Sequence, residues 1–308
     1  LSYFSYLALV ELVDANVPVN DLDRGLVDYF AAQYDVALAA LDRHIAATQN
    51  QVNDGTAQYY RALTLRELQR TDEAIEALDA FIQTYPANEK WADAWEEKSF
   101  LEWAVRGDYE AGAKTLTDFV AAVPDSASAP EFLFIAARIT ERDNRLEEAA
   151  QLWERIANEY SGSDQVPLAL FLAGISRYRL SDYQGALTAF QRDLLLSTSP
   201  EDRARAYFWI GKTQSILGDS AGAQESWQQG QAIDPTNYYS IRARDMLLGN
   251  SPFQSPPTVN LEVDLAQERK DAEAWMRITF DLPSETDLAN PGALAQDPRF
   301  VRGTELWE

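Results

Sequence analysis

Few residues of this 308-residue chain could carry covalent or metal chemistry. The sequence contains no cysteine and one histidine, His44. Without thiols the chain cannot form a disulfide, a zinc ribbon or a cysteine nucleophile. A catalytic triad or a multi-histidine metal site cannot be built from a single imidazole. His44 falls seven residues after Ala37, on the packing side of a predicted helix, and we expect it to be structural.

Carboxylates are abundant, but their spacing does not suit acid–base catalysis. Glu96 and Glu97 are adjacent, as are Glu147 and Glu148, and adjacent side chains on a helix point about 100° apart. Glycosidase carboxylates instead face each other across a sugar. The acidic segment 21–23 lacks the loop and terminal glutamate of a calcium site, and helix capping explains it. We therefore expect no catalytic residue, no metal site and no cofactor.

The elements that would position a binding residue repeat along the chain. Small residues recur in steps of 37, 38, 37, 37 and 37 residues, at Ala37, Ala74, Gly112, Ala149, Ala186 and Ala223. Four residues after each stands a large apolar residue: Leu41, Leu78, Leu116, Trp153, Phe190 and Trp227. Twelve residues before each stands Gly25, Ala62, Phe100, Ala137, Gly174 or Gly211, small in five of six cases. A fixed period of this length indicates a solenoid.

Each unit predicts two antiparallel helices joined by a short polar turn. The predicted hairpins span residues 21–47, 56–85, 92–122, 131–160, 166–196 and 202–232, after a first helix over 1–13. One hairpin cannot bury its own apolar stripe, so neighbouring hairpins must stack. The sequence thus predicts an all-α fold, an α-solenoid over residues 1–248. Residues 249–308 are predicted to hold a proline-rich linker (250–260), a helix (261–278) and the start of a further helical segment.

Charge and hydropathy limit the partners. The net charge is −23, from 49 acidic and 26 basic residues, and such a surface repels nucleic acid and anionic membranes. The simpler interpretation is that acidity keeps a long helical surface soluble.

No stretch approaches the roughly 20 apolar residues of a membrane span, and residues 1–13 lack the features of a signal peptide. Because the chain begins with Leu1 rather than methionine, we expect it to be part of a longer protein.

The repeating unit resembles the tetratricopeptide repeat. That repeat has small residues at its eighth and twentieth positions, a large one at its twenty-fourth, and often proline near its thirty-second. Pro86, Pro124 and Pro235 match the last position, and Gln49, Ser161 and Thr198 depart from it. A period near 37 rather than 34 predicts longer connections between the helices.

The resemblance to tetratricopeptide repeats implies that the first helix of each hairpin lines a concave surface. The candidate binding residues on this surface are Tyr29, Arg66, Arg138, Glu141, Tyr178 and Lys212. Arginine and aromatic side chains could stack on sugar rings or grip a peptide. The alternative is that the aromatic residues belong to the core and the charges only solvate the groove.

Residues 204–308 resemble a more particular family. The AYFWIGK segment at 206–212, the DPTNYY segment at 234–239 and the RAR segment at 242–244 look like the end of the helical superdomain of soluble lytic murein transglycosylases. The AEAW segment at 272–275 and the RFVRGTELW tail at 299–307 are also similar to bacterial members. The resemblance implies an exported cell-envelope protein, periplasmic or extracellular. Such a protein would act on peptidoglycan through its own C-terminal catalytic domain.

The chain departs from that family where catalysis is concerned. The family's catalytic glutamate lies in a Glu-Ser segment of a lysozyme-like domain, followed by Gly-Leu-Met-Gln. Here the helical Glu-Ser pair, Glu225 and Ser226, lies inside the sixth hairpin, and Gly-Leu-Met-Gln does not occur. No catalytic residue carries over, since a fold-bound site needs its whole constellation. This chain is therefore expected not to be an enzyme.

Three functional hypotheses follow. The favoured one is a non-catalytic scaffold of a peptidoglycan lytic transglycosylase, which positions the catalytic domain and the glycan strand. The second is a tetratricopeptide-type adaptor that binds an envelope protein or peptide. The third, a complete enzyme with an unrecognised site, is disfavoured by the missing catalytic residues.

Overall fold

A computed structural model describes residues 3–49, 51–250 and 264–307. Every regular element among these residues is helical, which confirms the predicted all-α fold. The chain divides into two compact units, residues 1–252 and 253–308. The helices of the first unit are α1 Tyr3–Asp14, α2 Asp21–Phe30, α3 Tyr34–Thr48, α4 Thr56–Glu67, α5 Thr71–Thr84, α6 Trp91–Phe100, α7 Tyr109–Ala122, α8 Ala129–Arg142, α9 Leu146–Glu159, α10 Val166–Arg179, α11 Tyr183–Leu196, α12 Pro200–Ile216, α13 Ser220–Gln231 and α14 Tyr238–Leu248.

Helices α2 to α13 form six successive hairpins, each packed against the next, so the α-solenoid is confirmed. Helix α14 packs on both α12 and α13. The second unit contains α15 (Leu265–Thr279), a 3₁₀ turn (Gly292–Gln296) and α16 (Pro298–Trp307), and α15 buries none of its residues. The linker predicted over 250–260 lies, apart from Asn250, outside the described residues. The predicted boundary between 248 and 249 stays a prediction.

Within a hairpin, the small residue of the first helix faces the large residue of the second. A methyl group at Gly25 would lie 2.6 Å from Leu41 Cγ, and one at Gly211 would lie 2.5 Å from Trp227 Nε1. Such distances are too short for a side chain to fit without displacing its neighbour. The glycines therefore let the two helices approach, and the large side chain fills the space beside them.

Neighbouring hairpins share one buried core. Ala149 and Trp153 of α9 are both fully buried, in a cluster that also contains Leu116 of α7 and Leu170 of α10. Phe190 of α11 is likewise fully buried. A stripe that a single hairpin would expose is thus covered by the hairpins on either side, as expected for a repeat protein.

The turn inside each hairpin has one backbone conformation. The first helix ends in a left-handed residue in all six hairpins: Ala32, Gln69, Gly107, Asn144, Ser181 and Gly218, with φ of 57, 59, 75, 59, 64 and 86°. The N–H of the next residue donates back to a carbonyl of the first helix, as Gln33 does to Asp28 and Asp182 to Arg177. This is the Schellman arrangement, which favours glycine at the left-handed position.

Replacing Ala32 with glycine is expected to raise the free energy of unfolding by about 0.5–1 kcal/mol, because Ala32 is exposed and is held at φ 57°.

Gly218→Ala makes the opposite exchange at the same position of the sixth hairpin. Nothing lies within 4 Å of its Cβ position and its φ is +86°, so only backbone strain changes, and stability should fall by about 1 kcal/mol. Urea unfolding followed by circular dichroism measures both. A loss of stability in Ala32→Gly would contradict the assignment of strain.

The third hairpin contains one additional residue, which forms a π-helical turn. After α6, residues Leu101–Val105 are π-helical, and the returning N–H of Asp108 bonds to Glu102, six residues back rather than five. Phe100, which the twelve-residue spacing placed at the small position, is 45% exposed. Ser99 occupies that position instead: it is buried, and its Oγ donates to the carbonyl of Gly112 at 2.8 Å. A π-helical turn is how a helix accommodates an insertion, and it explains the single step of 38 residues.

Candidate functional site on the first helices

Four of the six candidate residues lie at a common register on the first helices, and the other two, Arg138 and Lys212, directly follow the small residue of their helix. The residues four positions after the small residue of each first helix are, in chain order, Tyr29, Arg66, Trp103, Glu141, Tyr178 and Ser215. We call these positions, together with the polar and aromatic side chains that contact them, the first-helix row. Each of these six residues lies one helical turn beyond its small residue. Their side chains are therefore outside the close contact between the two helices of a hairpin and remain partly exposed.

Tyr29 and Arg66 form the first group of the row. The Tyr29 ring meets Tyr60 of the next first helix edge-on, with centroids 5.3 Å apart. Arg66 pairs with Glu97 of the following first helix and, at 2.6 Å, with its neighbour Glu67. Burial alone would lower the pKa of Arg66, but the hydrogen bonds that Arg66 donates to the two carboxylates outweigh this effect and raise its pKa. Burial, partly opposed by the charge of Arg66, raises the pKa of Tyr29.

Arg138 and Glu141 form the second group. Arg138 Nη1 lies 3.3 Å from Glu141 Oε2, one turn away on α8. Glu141 Oε1 accepts from Arg179 of α10, also at 3.3 Å. One carboxylate thus bridges two cations and connects successive first helices. Since these side chains are 19–49% exposed, the pairs contribute little to stability.

Tyr178 and Lys212 form the third group, together with Trp209. The rings of Tyr178 and Trp209 meet edge-on at 5.3 Å. Lys212 Nζ lies 4.4 Å from the centroid of Trp209 and 5.1 Å from that of Tyr178, within the range of a cation–π interaction. Burial, and then the charge of Arg242, lower the pKa of Lys212.

The six predicted residues therefore fall into three groups, Tyr29 with Arg66, Arg138 with Glu141, and Tyr178 with Lys212. All six lie on first helices and are partly or fully exposed. That they line a concave surface stays a prediction. The alternative, that the aromatics are only core, fits Tyr29 and Tyr178 in part, because both are half-buried against other rings.

Sequence reasoning missed two positions of the row, Ser215 and Trp103, and of these Trp103 contacts a charged side chain of the next first helix. Arg142 of α8 lies over the Trp103 ring, 5.2 Å from its centroid. The fourth residue after Phe100 is an alanine, whereas the fourth after Ser99 is Trp103. The step of 38 residues was the signal that could have revealed this shift of register.

A buried charged group lies between α11 and α12, outside the row. Asp193 is fully buried. Its Oδ1 accepts from Ser197 Oγ at 2.8 Å, and its Oδ2 lies 3.8 Å from Arg205 Nη2. Arg205 also pairs with Asp202 at 2.8 Å and lies over the ring of Phe171. Burial raises the pKa of Asp193 to about 6, against the opposing effects of Ser197 and Arg205.

This aspartate predicts a pH dependence of stability. The folded chain holds the proton up to about pH 6, whereas the unfolded chain releases it near the ordinary value of 3.8. The stabilisation is therefore complete below pH 3.8 and is lost as the pH rises through 6. Between pH 5 and 7.5, wild type should lose about 1 kcal/mol more than Asp193→Asn does. Urea titrations at the two pH values measure this difference. Equal losses in the two proteins would contradict a raised pKa.

Clefts also lie between successive second helices. One of about 430 Å³ is lined by Lys114, Arg145, Glu148 and Arg155, and one of about 390 Å³ by Asp42, Arg61, Phe81 and Tyr85, among others. Their charged side chains pair locally, as Arg145 does with Glu148 at 2.9 Å and Arg61 with Asp42 at 2.6 Å. Neither cleft brings together unpaired groups that would select a ligand.

Metal-binding clusters and membrane-spanning helices are both absent from the described part of the chain. Within it, no three histidine or acidic side chains come together to hold a metal ion. Over the same residues, no helix has the length and apolarity needed to cross a bilayer.

Comparison with known proteins agrees with this geometry. Models of the tetratricopeptide repeat match residues 56–88 and 104–164. No curated protein matches the chain. A solved structure of the C-terminal part of a TPR repeat-containing protein from Cytophaga hutchinsonii is similar, with 12% identity and a TM-score of 0.53 over 77% of this chain and 92% of that one. Naa15/Naa10 bound to HypK-THB is similar with 13% identity and a TM-score of 0.50, over 86% of this chain and 37% of that one. At such identities the likeness shows the fold alone, an α-solenoid of tetratricopeptide-like hairpins.

Proposed function

We propose that this chain is a non-catalytic, tetratricopeptide-type interaction scaffold that binds an extended segment of a partner protein along the first-helix row. The tetratricopeptide matches support a protein partner, since extended peptides are bound by aligned pockets and charges on a preformed surface. The row is preformed, because five of its six positions contact a side chain of the next first helix.

One observation carries this proposal. Aromatic and charged side chains continue from helix to helix along the first helices, from Tyr29 on α2 to Lys212 on α12. The clefts between the second helices show no comparable series. A continuous strip of partly exposed rings and charges suits a linear ligand better than a small molecule.

A peptide selection tests the proposal. A displayed library of random 12-residue peptides is panned on the purified chain, and selected peptides are measured by fluorescence anisotropy. We expect binding that Tyr178→Ala and Arg138→Glu each weaken at least about tenfold. Lys114→Glu, on second helix α7 where Lys114 pairs only with Asp118, is the matched control and should bind normally. The proposal would be overturned if no peptide were selected, or if the selected peptides bound Tyr178→Ala and Arg138→Glu as tightly as wild type.

A second candidate is the helical scaffold of a peptidoglycan lytic transglycosylase, which would position its own catalytic domain and the glycan strand. It is favoured by the segment over 204–249, where Tyr239 at the start of α14 packs against Phe208 of α12 with centroids 6.0 Å apart. Those segments lie within residues 204–308, over which the family resemblance is most specific. The exposed rings of the row could stack on sugars.

Purified peptidoglycan tests this second candidate. The chain should sediment with intact sacculi and release no anhydro-muropeptides. Tyr178→Ala should reduce sedimentation, and Lys114→Glu should not. A chain that stays in solution with sacculi, or one that cleaves them, contradicts it.

The same resemblance supports a cell-envelope location, periplasmic or extracellular. Fractionation of the source cells, followed by detection with an antibody raised against this chain, tests the location. Recovery in the cytosolic fraction would contradict it.

A further inference from the structure

Two cations of the first-helix row have no carboxylate partner among the described residues. Arg66, Arg138, Arg179 and Arg242 each pair with an acidic side chain. Lys212 and Arg142 have no described carboxylate oxygen within 4.0 Å.

Both unpaired cations lie on tryptophan rings. Lys212 Nζ is 4.4 Å from the Trp209 centroid, and the Arg142 guanidinium is 5.2 Å from the Trp103 centroid. A ring face holds a cation in place but does not neutralise it. Each cation is therefore fixed in position and still able to accept an anion.

The surroundings of Lys212 favour the binding of an anion. Lys212 is half-buried, and the charge that acts on it most is another cation, Arg242. Residues 200–248 hold five basic and six acidic residues, so this end of the solenoid is close to neutral in an otherwise strongly acidic chain. A carboxylate bound here would relieve both the desolvation and the repulsion.

We propose that the partner segment is acidic, and that it places one carboxylate on Lys212 and a second on Arg142, with about five or six residues from one to the other. This inference rests on the proposed function and specifies its ligand. On α10, the first helix between those of the two cations, Arg179 is already paired with Glu141, which leaves the intervening ligand residues free of a charge requirement.

The spacing follows from helix packing. Arg142 is on α8 and Lys212 on α12, with α10 between them; Glu141 contacts Arg179, and Trp209 contacts Tyr178. We take each step from one first helix to the next as the spacing of packed helices, about 8–10 Å, so two steps span roughly 16–20 Å. An extended chain advances about 3.3 Å per residue, which gives five or six residues between the carboxylates.

Defined peptides test the proposal. The probe is a fluorescein-labelled 14-residue peptide of alanine, serine and glycine with glutamate at positions 4 and 10, and the control peptide has glutamine at both positions. We expect the glutamine peptide to bind at least about tenfold more weakly. Lys212→Met and Arg142→Met should each weaken the glutamate peptide by a similar factor, and Lys114→Met should have no effect. The affinity should also fall as salt is raised.

Lysine resonances report on the site directly, because Lys212 is one of only five lysines. In a chain labelled with ¹³C-lysine, the Lys212 Hε signal should lie upfield of the others through the Trp209 ring current, and Lys212→Arg assigns it. Added glutamate peptide should shift this signal selectively. An upfield signal that does not move with the peptide overturns the proposal, as does equal binding of the glutamine peptide or no binding at millimolar concentration.

The outcomes separate this proposal from the proposed function. If library peptides bind the row but carry no pair of acidic residues, the scaffold function stands and the acidic ligand is wrong. If no library peptide binds the row, both are wrong. Enrichment of two acidic residues five or six positions apart supports both.

Discussion

Trp153→Ala is expected to lower the free energy of unfolding by about 3–5 kcal/mol. Trp153 is fully buried at the centre of the core that α7 to α10 share. Its Nε1 has no hydrogen-bond partner among the described residues, so the loss is one of packing and not of a polar contact. A cavity of this size cannot be closed by small movements in a densely packed interior. Urea unfolding followed by circular dichroism at 222 nm gives the difference.

Two controls isolate the cavity. Trp275→Ala makes the same chemical change at a side chain that is 61% exposed on α15, and it should cost less than about 0.5 kcal/mol. Trp153→Phe keeps most of the volume and removes the unpartnered N–H, so it should cost far less than alanine. A Trp153→Ala protein as stable as wild type would show that neighbouring hairpins do not share this core.

Gly174→Ala is expected to lower the free energy of unfolding by about 2 kcal/mol. In an open helix this exchange gains about 1 kcal/mol, because alanine is the better helix former. Here the new methyl group would lie 2.6 Å from Cδ1 of Phe190, whose ring is fully buried and cannot move aside. The steric cost therefore exceeds the gain in helix propensity. The same urea titration measures the net effect.

Rescue by a second substitution tests the cause. Phe190→Leu alone should destabilise the protein. The double variant with Gly174→Ala should lose less stability than the two single variants lose together, because the smaller side chain leaves room for the methyl group. Gly303→Ala is the matched control, since Gly303 is also helical and has nothing within 4 Å of its Cβ position. Additive costs in the double variant would contradict the proposed steric conflict.

Most of the fold could be predicted from the sequence because the residues that pack two helices together recur at fixed positions of the repeat. A small residue and a large one sixteen positions later, such as Gly174 and Phe190, suffice to place two helices against each other. The left-handed turns were less visible, since alanine, glutamine and serine occupy three of the six positions. There the hydrogen bonds of the hairpin impose the backbone on residues that do not favour it.

The candidate site was predicted by position but not by contact. The register placed Arg66 and Tyr178 on first helices, yet their partners Glu97 and Trp209 come from the next hairpin, and a single unit carries no information on its neighbour. Trp103 was hidden because one additional residue shifts its register. The pairing of cations with rings depends on side-chain conformations that the repeat period does not determine.

The π-helical turn makes the third hairpin different in kind from the three that follow. The small residues of the second helices of the fourth to sixth hairpins follow one another at steps of 37 residues, and none of these hairpins contains a π-helical turn. The third is not interchangeable with them. Removing Phe100 would restore a continuous α-helix and rotate Trp103 by about 100° relative to Ser99, which would take the ring away from Arg142. Leu101, which is buried in the core of the second hairpin, would shift with it.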